Sequence, residues 1–309
     1  MLYRGLIIDG HCDAPSVIYD KKSSLYVAKP YAGPLIQVIN TCLNDEQAAA
    51  EPLSHVVEMW SAGLQLARAN TLPLIKSRED LGELVRTRQS GLLLGIEGAD
   101  SLQGSLAVLE ALFTLGYRLL GLTWNRSNSV ADGVGAGPGA GGLTPFGRQV
   151  VEKCFNLGIV VDLAHLAPAG FREVLELATG PVVVSHANCH ALCGHRRNLT
   201  DQQLKAVGQN KGLVGITFVP DFLRDDGRAT LSTVLDHVEH ALQYVGEDGV
   251  AFGSDFDGVD GLPEGIEGPV SWSAIAGELE KRNFSSSLVD KLLWGNWARV
   301  LLAALPASV

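Results

Sequence analysis

Three histidines and three carboxylates stand where short apolar runs of this 309-residue chain end. His11 and Asp13 follow the run at 6–9, Glu97 ends 91–97, His165 follows 158–163, His186 ends 181–186 and Asp255 ends 249–255. Imidazole nitrogens and carboxylate oxygens are the ligands that zinc and similar ions prefer. His11, Asp13, Glu97, His165 and His186 exceed the three protein ligands of a usual single catalytic zinc. They suit two ions, with His11 and Asp13 on one, His165 and His186 on the other, and Glu97 shared between them. Two ions about 3.5–4 Å apart hold a hydroxide between them and polarise a carbonyl oxygen.

Each residue alone has a plainer reading, because a single His after a strand is most often a hydrogen-bonded structural residue. The joint pattern carries the argument. The remaining histidines give a contrast: His55, His237 and His240 lie in helix-like segments, with His237 and His240 at i, i+3 on an expected solvated face. His190 and His195 belong to the loop behind His186. Cys189, His190, Cys193 and His195 offer soft ligands, but their spacing fits no standard zinc-knuckle pattern.

These side chains need elements that bring distant positions together. Eight runs rich in Val, Ile and Leu recur at 6–9, 35–41, 91–97, 117–123, 158–163, 181–186, 212–218 and 249–255. Unbroken apolar runs of this length suit strands buried on both faces, as in parallel sheets. Helical periodicity fills 45–69, 103–115, 145–156, 168–178, 201–209 and 230–245, and 271–304 reads as two closing helices. Thr144-Pro145 and Thr200-Asp201 have the form of helix starts. Alternating strands and helices argue for an α/β fold, a (β/α)8 TIM-type barrel formed by one domain over 1–309, whose strand ends converge on one mouth. The glycine-rich 131–142 lacks the Gly-Lys-Ser/Thr ending of a phosphate loop and reads as a surface loop, with a flexible lid over the site as the alternative. Residues 14–34 read as a long loop bordering the mouth.

Hydrophobic residues make up 46% of the chain, enough for a large core, and the net charge of −10 with no basic stripe excludes a nucleic-acid partner. No stretch approaches the ~20 apolar residues that span a bilayer, so no membrane partner is expected. The N-terminal residues lack the pattern of a secretory signal. Five cysteines scattered in apolar contexts suit free thiols. The expected compartment is the cytoplasm.

The segments DGHCD, GIEGADSL, DLAHL, VVVSHANCHALCGHRRNLTD and GSDFDG occur in an order and spacing that resembles the renal (membrane) dipeptidase family of zinc metallopeptidases, within the metal-dependent amidohydrolase group. The similarity runs from near residue 6 to about residue 300. The resemblance implies two zinc ions per chain, held by His11 and Asp13, by His165 and His186, and bridged by Glu97. It implies Asp255 as proton acceptor and donor, Arg197 as the anchor of the substrate's terminal carboxylate, and a homodimer. The implied substrate is a dipeptide, L,L or with a D-residue at its C-terminal position.

One position departs from the family pattern. Family members carry a His after Leu-Thr at the end of the fourth run, where it helps stabilise the oxyanion; this chain has Trp124, followed by Asn125. An indole N–H donates one hydrogen bond and carries no charge. Trp124 and Asn125 are therefore expected at the substrate. The departure opens a second reading, an amidohydrolase acting on another amide, lactam or cyclic compound. A metal-binding protein that has lost catalysis is a third reading, against which the complete ligand set and Asp255 weigh.

Overall fold

The computed structural model describes residues 3–308. Eight parallel strands pair in chain order: β1 (Ile7–Asp9), β2 (Leu35–Cys42), β3 (Gly91–Glu97), β4 (Tyr117–Gly121), β5 (Val160–Asp162), β6 (Val183–Ala187), β7 (Leu213–Ile216) and β8 (Val250–Phe252). All eight apolar runs are strands. The sheet curls until β8 meets β1. Gly10 N–H donates to Phe252 O (3.1 Å), Asp255 N–H to His11 O (3.1 Å) and Asp13 N–H to Phe256 O (2.9 Å). The expected (β/α)8 barrel is the fold observed.

Side chains alternate across each strand, so every second residue faces the interior. Ile36, Val38, Leu93, Leu119, Val160, Val183 and Leu213 share one buried cluster, which Trp297, Val300 and Leu301 of the last helix complete. Trp297 Nε1–H donates to Phe252 O at 2.8 Å and fixes that helix beneath β8. The intervening residues Leu92, Leu94, Ile96, Val161 and Val184 belong to the larger cluster packed against the surrounding helices. Continuing the interior row toward the C-terminal strand ends replaces apolar side chains with polar ones: Val38 leads to Asn40, Leu93 to Gly95 and Glu97, Val160 to Asp162, Val183 to Ser185.

The expected helix starts are present. Thr144 caps Pro145–Leu157 through the N–H of Gly147, and Thr200 forms a capping box with Gln203. Several expectations need correction. The segment 45–69 is two helices, Asp45–Ala49 and Pro52–Ala69. Glu51 between them has φ 53°, and Pro52 disfavours helical backbone in the residue before it. A further helix, Arg78–Thr87, starts at a Ser77 capping box. Residues 14–34 contain two short helices, Ala14–Tyr19 and Leu25–Ala28. The tail forms the two closing helices expected, Trp272–Lys281 and 286–304, the second with one π turn at Lys291–Gly295. Among the described residues, no helix is long and apolar enough to cross a membrane.

Candidate metal centre

The barrel brings all six strand-end residues together at its mouth. Glu97, the last residue of β3, divides its two oxygens between the two sides of the cluster. Oε2 lies 3.5 Å from His11 Nε2, while Oε1 lies 2.8 Å from His165 Nε2 and 3.3 Å from His186 Nε2. Asp13 Oδ1 and Asp255 Oδ1 lie 3.6 and 3.7 Å from His11 Nε2. All six residues are buried or nearly so. His165 and Asp255 both adopt left-handed backbone, each with φ 65°, a conformation that costs a non-glycine residue about 1–3 kcal/mol and is retained where surrounding bonds enforce it.

Those bonds repeat on two sides of the barrel. Asp9 accepts the N–H (2.8 Å) and hydroxyl (2.6 Å) of Ser254, the residue before Asp255. Asp162 accepts the N–H of Ala164 (3.0 Å), the residue before His165, and the N–H of Ser185 (2.8 Å), the residue before His186. Asp9 and Asp162 are each buried at the last position of a strand. Gly258 closes over the mouth, where any Cβ would run into the carboxylates of Asp13 and Asp255.

Each histidine has a partner on the side away from Glu97. His165 Nδ1–H donates to Asn125 Oδ1 at 3.0 Å, which leaves a lone pair on its Nε2. His186 Nδ1 lies 2.8 Å from Ser185 Oγ, and His11 Nδ1 lies 3.0 Å from the Asn40 amide. The glycine-rich 131–142 is the expected surface loop over 135–139, and its first residues also brace this side. Val134 N–H donates to His165 O (2.8 Å) and Gly135 N–H to Asn125 O (2.7 Å), and a Cβ at Gly133 would strike the backbone of Asn125.

Burial opposes the charge on His11, but the Glu97 and Asp13 carboxylates outweigh it and hold its pKa well above the usual imidazole value. Burial likewise works against ionised Glu97, yet His11 and His165 hold it well below the carboxylate range. Burial pushes Asp13 up to about 6 and Asp255 up to about 7. It takes His165 down to about 4 and His186 well below its ordinary value.

The donor set fits divalent cations. Oxygen and imidazole nitrogen atoms converge from five strand ends, and His11 Nε2 and Asp13 Oδ1 are buried there without a hydrogen-bond partner. Uncompensated buried polar atoms are costly, and a cation satisfies them. Glu97, His165 and His186 form one compact group, and His11, Asp13 and Asp255 another.

A cavity of about 340 Å³ opens onto the cluster, and Trp124, Asn125, His195, Arg197, Phe222 and Val259 are among its walls. The Trp124 ring centroid lies 6.1 Å from that of His165. Arg197 is buried. Its Nη2–H donates to His186 O (3.3 Å), its guanidinium lies 5.5 Å from the Phe222 ring centroid, and its Nε–H has no partner. Burial lowers its pKa to about 10, which leaves it charged at neutral pH.

Sequence reasoning missed Asn40, Asp162, Ser185, Asp9 and Ser254, and it did not assign His195, Phe222 or Gly258 to the mouth. His237, expected on a solvated face, is buried; its Nδ1 accepts the N–H of Cys189 and its Nε2–H donates to Leu223 O. His240 pairs with Asp201. Cys189 and Cys193 form no metal-binding group among the described residues; their thiols bond His237 O and Asp221 O. All five cysteines are free thiols.

A parallel barrel with histidines and carboxylates gathered at the C-terminal strand ends defines a metal-dependent hydrolase. The chain belongs to the membrane dipeptidase family, peptidase family M19, whose sequence model matches residues 35–307. An uncharacterized protein in the pqqA 5'region of Klebsiella pneumoniae is 36% identical over 242 residues, which is 75% of this chain and 89% of that one. Dipeptidase 3 of Homo sapiens is 32% identical over 265 residues, covering 84% of this chain. The chain spans 53% of the length of that human dipeptidase. The solved structure of dipeptidase AC, a metallopeptidase of family M19, superposes with a TM-score of 0.90 at 27% identity, over 99% of this chain and 100% of that one. A metallopeptidase from Rhodobacter sphaeroides, liganded with a phosphinate mimic of the dipeptide L-Ala-D-Ala, gives 0.87 at 26% identity, over 98% and 100%.

Proposed function

We propose that residues 1–309 form one metallohydrolase domain that works as a binuclear zinc dipeptidase on L,L- and L,D-dipeptides. The observation that carries this reading is the split of the Glu97 carboxylate, with one oxygen toward His11 and the other toward His165 and His186. His11 and Asp13 would hold one zinc, His165 and His186 the second, and Glu97 would bridge them. Bound there, zinc would supply Lewis-acid chemistry, activating water at neutral pH and polarising the peptide carbonyl. The chain's own groups do the rest. Asp255, beside His11, takes up a proton and returns it to the leaving amine, as a general base and then acid. Arg197, in the cavity wall, holds the terminal carboxylate by a charge-assisted bond. A longer peptide would lack a free carboxylate at that position, which restricts the site to short substrates. The dipeptide mimic in the Rhodobacter sphaeroides relative supports an L,D substrate.

The test is a panel of L,L- and L,D-dipeptides given to zinc-loaded protein beside Asp255→Asn. Amino-acid release by the wild type alone supports the proposal. No turnover of any dipeptide by protein with both ions bound refutes it. One observation favours a second reading, hydrolysis of another amide, lactam or cyclic compound: an indole, Trp124, forms the cavity wall where the pattern of the resembled family has a histidine.

A further inference from the structure

Asp162 takes no part in the chemistry above, yet it lies directly behind both halves of the centre. It is 3% exposed. Its Oδ1 accepts the N–H of Ser185 (2.8 Å) and of Ala164 (3.0 Å), and the neighbouring Ser185 hydroxyl favours its ionised form. Ser185 Oγ in turn lies 2.8 Å from His186 Nδ1 and 3.3 Å from His11 Nδ1. One hydroxyl thus touches two imidazoles that belong to different cation sites.

A serine hydroxyl has one proton to donate and two lone pairs that accept. Asp162 is an acceptor only. When the hydroxyl proton goes to Asp162, both lone pairs remain for the two Nδ1–H groups. Asn40 Nδ2 stands 3.0 Å from the same His11 Nδ1 while Asn40 Oδ1 has no partner, and exchanging the two atoms of this amide satisfies the oxygen. Turned toward the ring, that oxygen shares the Nδ1 proton, so it favours the same tautomer. Asp162, His11 and His186 also form a compact group of metal-ligand type. Asp162 Oδ1 is already taken by two backbone N–H groups, so this group is a hydrogen-bonded support and not a third cation site.

We propose that Asp162 and Ser185 are positioning residues that fix the Nδ1–H tautomer of His11 and His186 together, and so present one Nε2 lone pair to each cation site. A ring that ligates through Nε2 must keep its proton on Nδ1 and needs an acceptor there. One carboxylate acting through one hydroxyl supplies that acceptor on both sides of Glu97. This rests on the two-cation reading above, and the experiment separates the two.

The test compares wild type, Ser185→Ala, Ser185→Thr and Asp162→Asn in two measurements. Zinc affinity is read by competition with a chromophoric chelator, and the tautomers of His11 and His186 are read from ¹⁵N ring shifts of the metal-free protein at a pH high enough that both rings are neutral, since the carboxylates around His11 hold its proton above the usual imidazole range. Ser185→Ala is expected to lose about 10–100-fold in zinc affinity, the usual effect of removing a partner of a metal-ligating His, and to show Nε2–H signal at both rings. Ser185→Thr keeps the hydroxyl and restores both readouts. Asp162→Asn still accepts the backbone N–H groups, but its amide donates to Ser185 and removes one lone pair, so one ring loses its acceptor; this variant decides the matter if Ser185→Ala does not fold. Wild-type affinity together with unchanged Nδ1–H signals in a folded variant overturns the proposal. Wild-type protein that binds fewer than two ions overturns the two-cation reading, while the ring shifts still judge Asp162 and Ser185.

Discussion

The Nε2 atoms of His165 and His186 stand 3.0 Å apart, both facing Glu97 Oε1. Asn125 takes the His165 Nδ1 proton, so a lone pair points from His165 toward its neighbour. A nitrogen lone pair and a carboxylate converging in a buried site gain most from a cation. Glu97→Gln keeps the volume and removes the charge. Its expected zinc content is one ion or fewer per chain against two for the wild type, measured by elemental analysis after dialysis. Two tightly held ions in the variant would show that Glu97 does not bridge.

Protons compete with cations for these ligands. Asp13 and Asp255 are pushed up to about 6 and 7, and His11 is held well above its ordinary value, so all three bind protons more tightly than free side chains do. Ligation by Asp13 and His11 requires their deprotonated forms, and the charge of the cation also favours ionised Asp255. Zinc affinity therefore falls as pH drops from above 7 through 6. Calorimetry at pH 7 in buffers of different ionisation enthalpy should show net proton release on binding. Net uptake, or affinity independent of pH between 5.5 and 7.5, contradicts this electrostatic picture.

Trp124 replaces a group able to carry positive charge with one neutral donor. Removing an oxyanion donor commonly costs about 10²–10³ in kcat. If the cavity is built for another amide, Trp124→His gains dipeptidase activity, with kcat rising toward that factor, while its rate on that amide falls. If the native substrate is a dipeptide served by Trp124 itself, the dipeptide rate does not rise.

Arg197→Met removes the buried guanidinium and leaves a side chain of similar length. Losing one partner of a desolvated charge pair costs roughly 2–5 kcal/mol, read here in kcat/KM for dipeptides with a free carboxylate. Dipeptide amides lack that charge and should lose little. Equal losses for both would place the substrate carboxylate elsewhere.

At Gly258 the constraint is steric. Because any Cβ meets the Asp13 and Asp255 carboxylates, Gly258→Ala is expected to abolish activity and weaken zinc binding while leaving the unfolding temperature nearly unchanged. Trp297→Ala does the reverse. It opens the cluster beneath the barrel and costs about 3–5 kcal/mol of stability, seen in chemical denaturation.

Much of this was legible in the sequence because it is written in short-range patterns. Eight apolar runs marked the eight strands, and a parallel barrel sends all strand ends to one mouth, so His11, Glu97 and His186 met without any long-range pairing being read. What stayed hidden depends on contacts between neighbouring strands. Asn40, Asp162 and Ser185 each follow an interior apolar residue by two positions, so the signal existed. Without the register, however, they read as ordinary polar residues near strand ends. The bracing role of 131–142 was hidden because glycines signal freedom of backbone, not the close approach to Asn125 that the fold makes of it. His237 was misplaced because i, i+3 spacing with His240 does not say which side of a helix meets the loop at Cys189.

The most direct measurement is hydrolysis of L-Ala-D-Ala by metal-free protein titrated with zinc, followed as rate against zinc equivalents per chain. The account predicts a rise that breaks at two equivalents. A plateau at one equivalent, or no hydrolysis at any ratio, would contradict it.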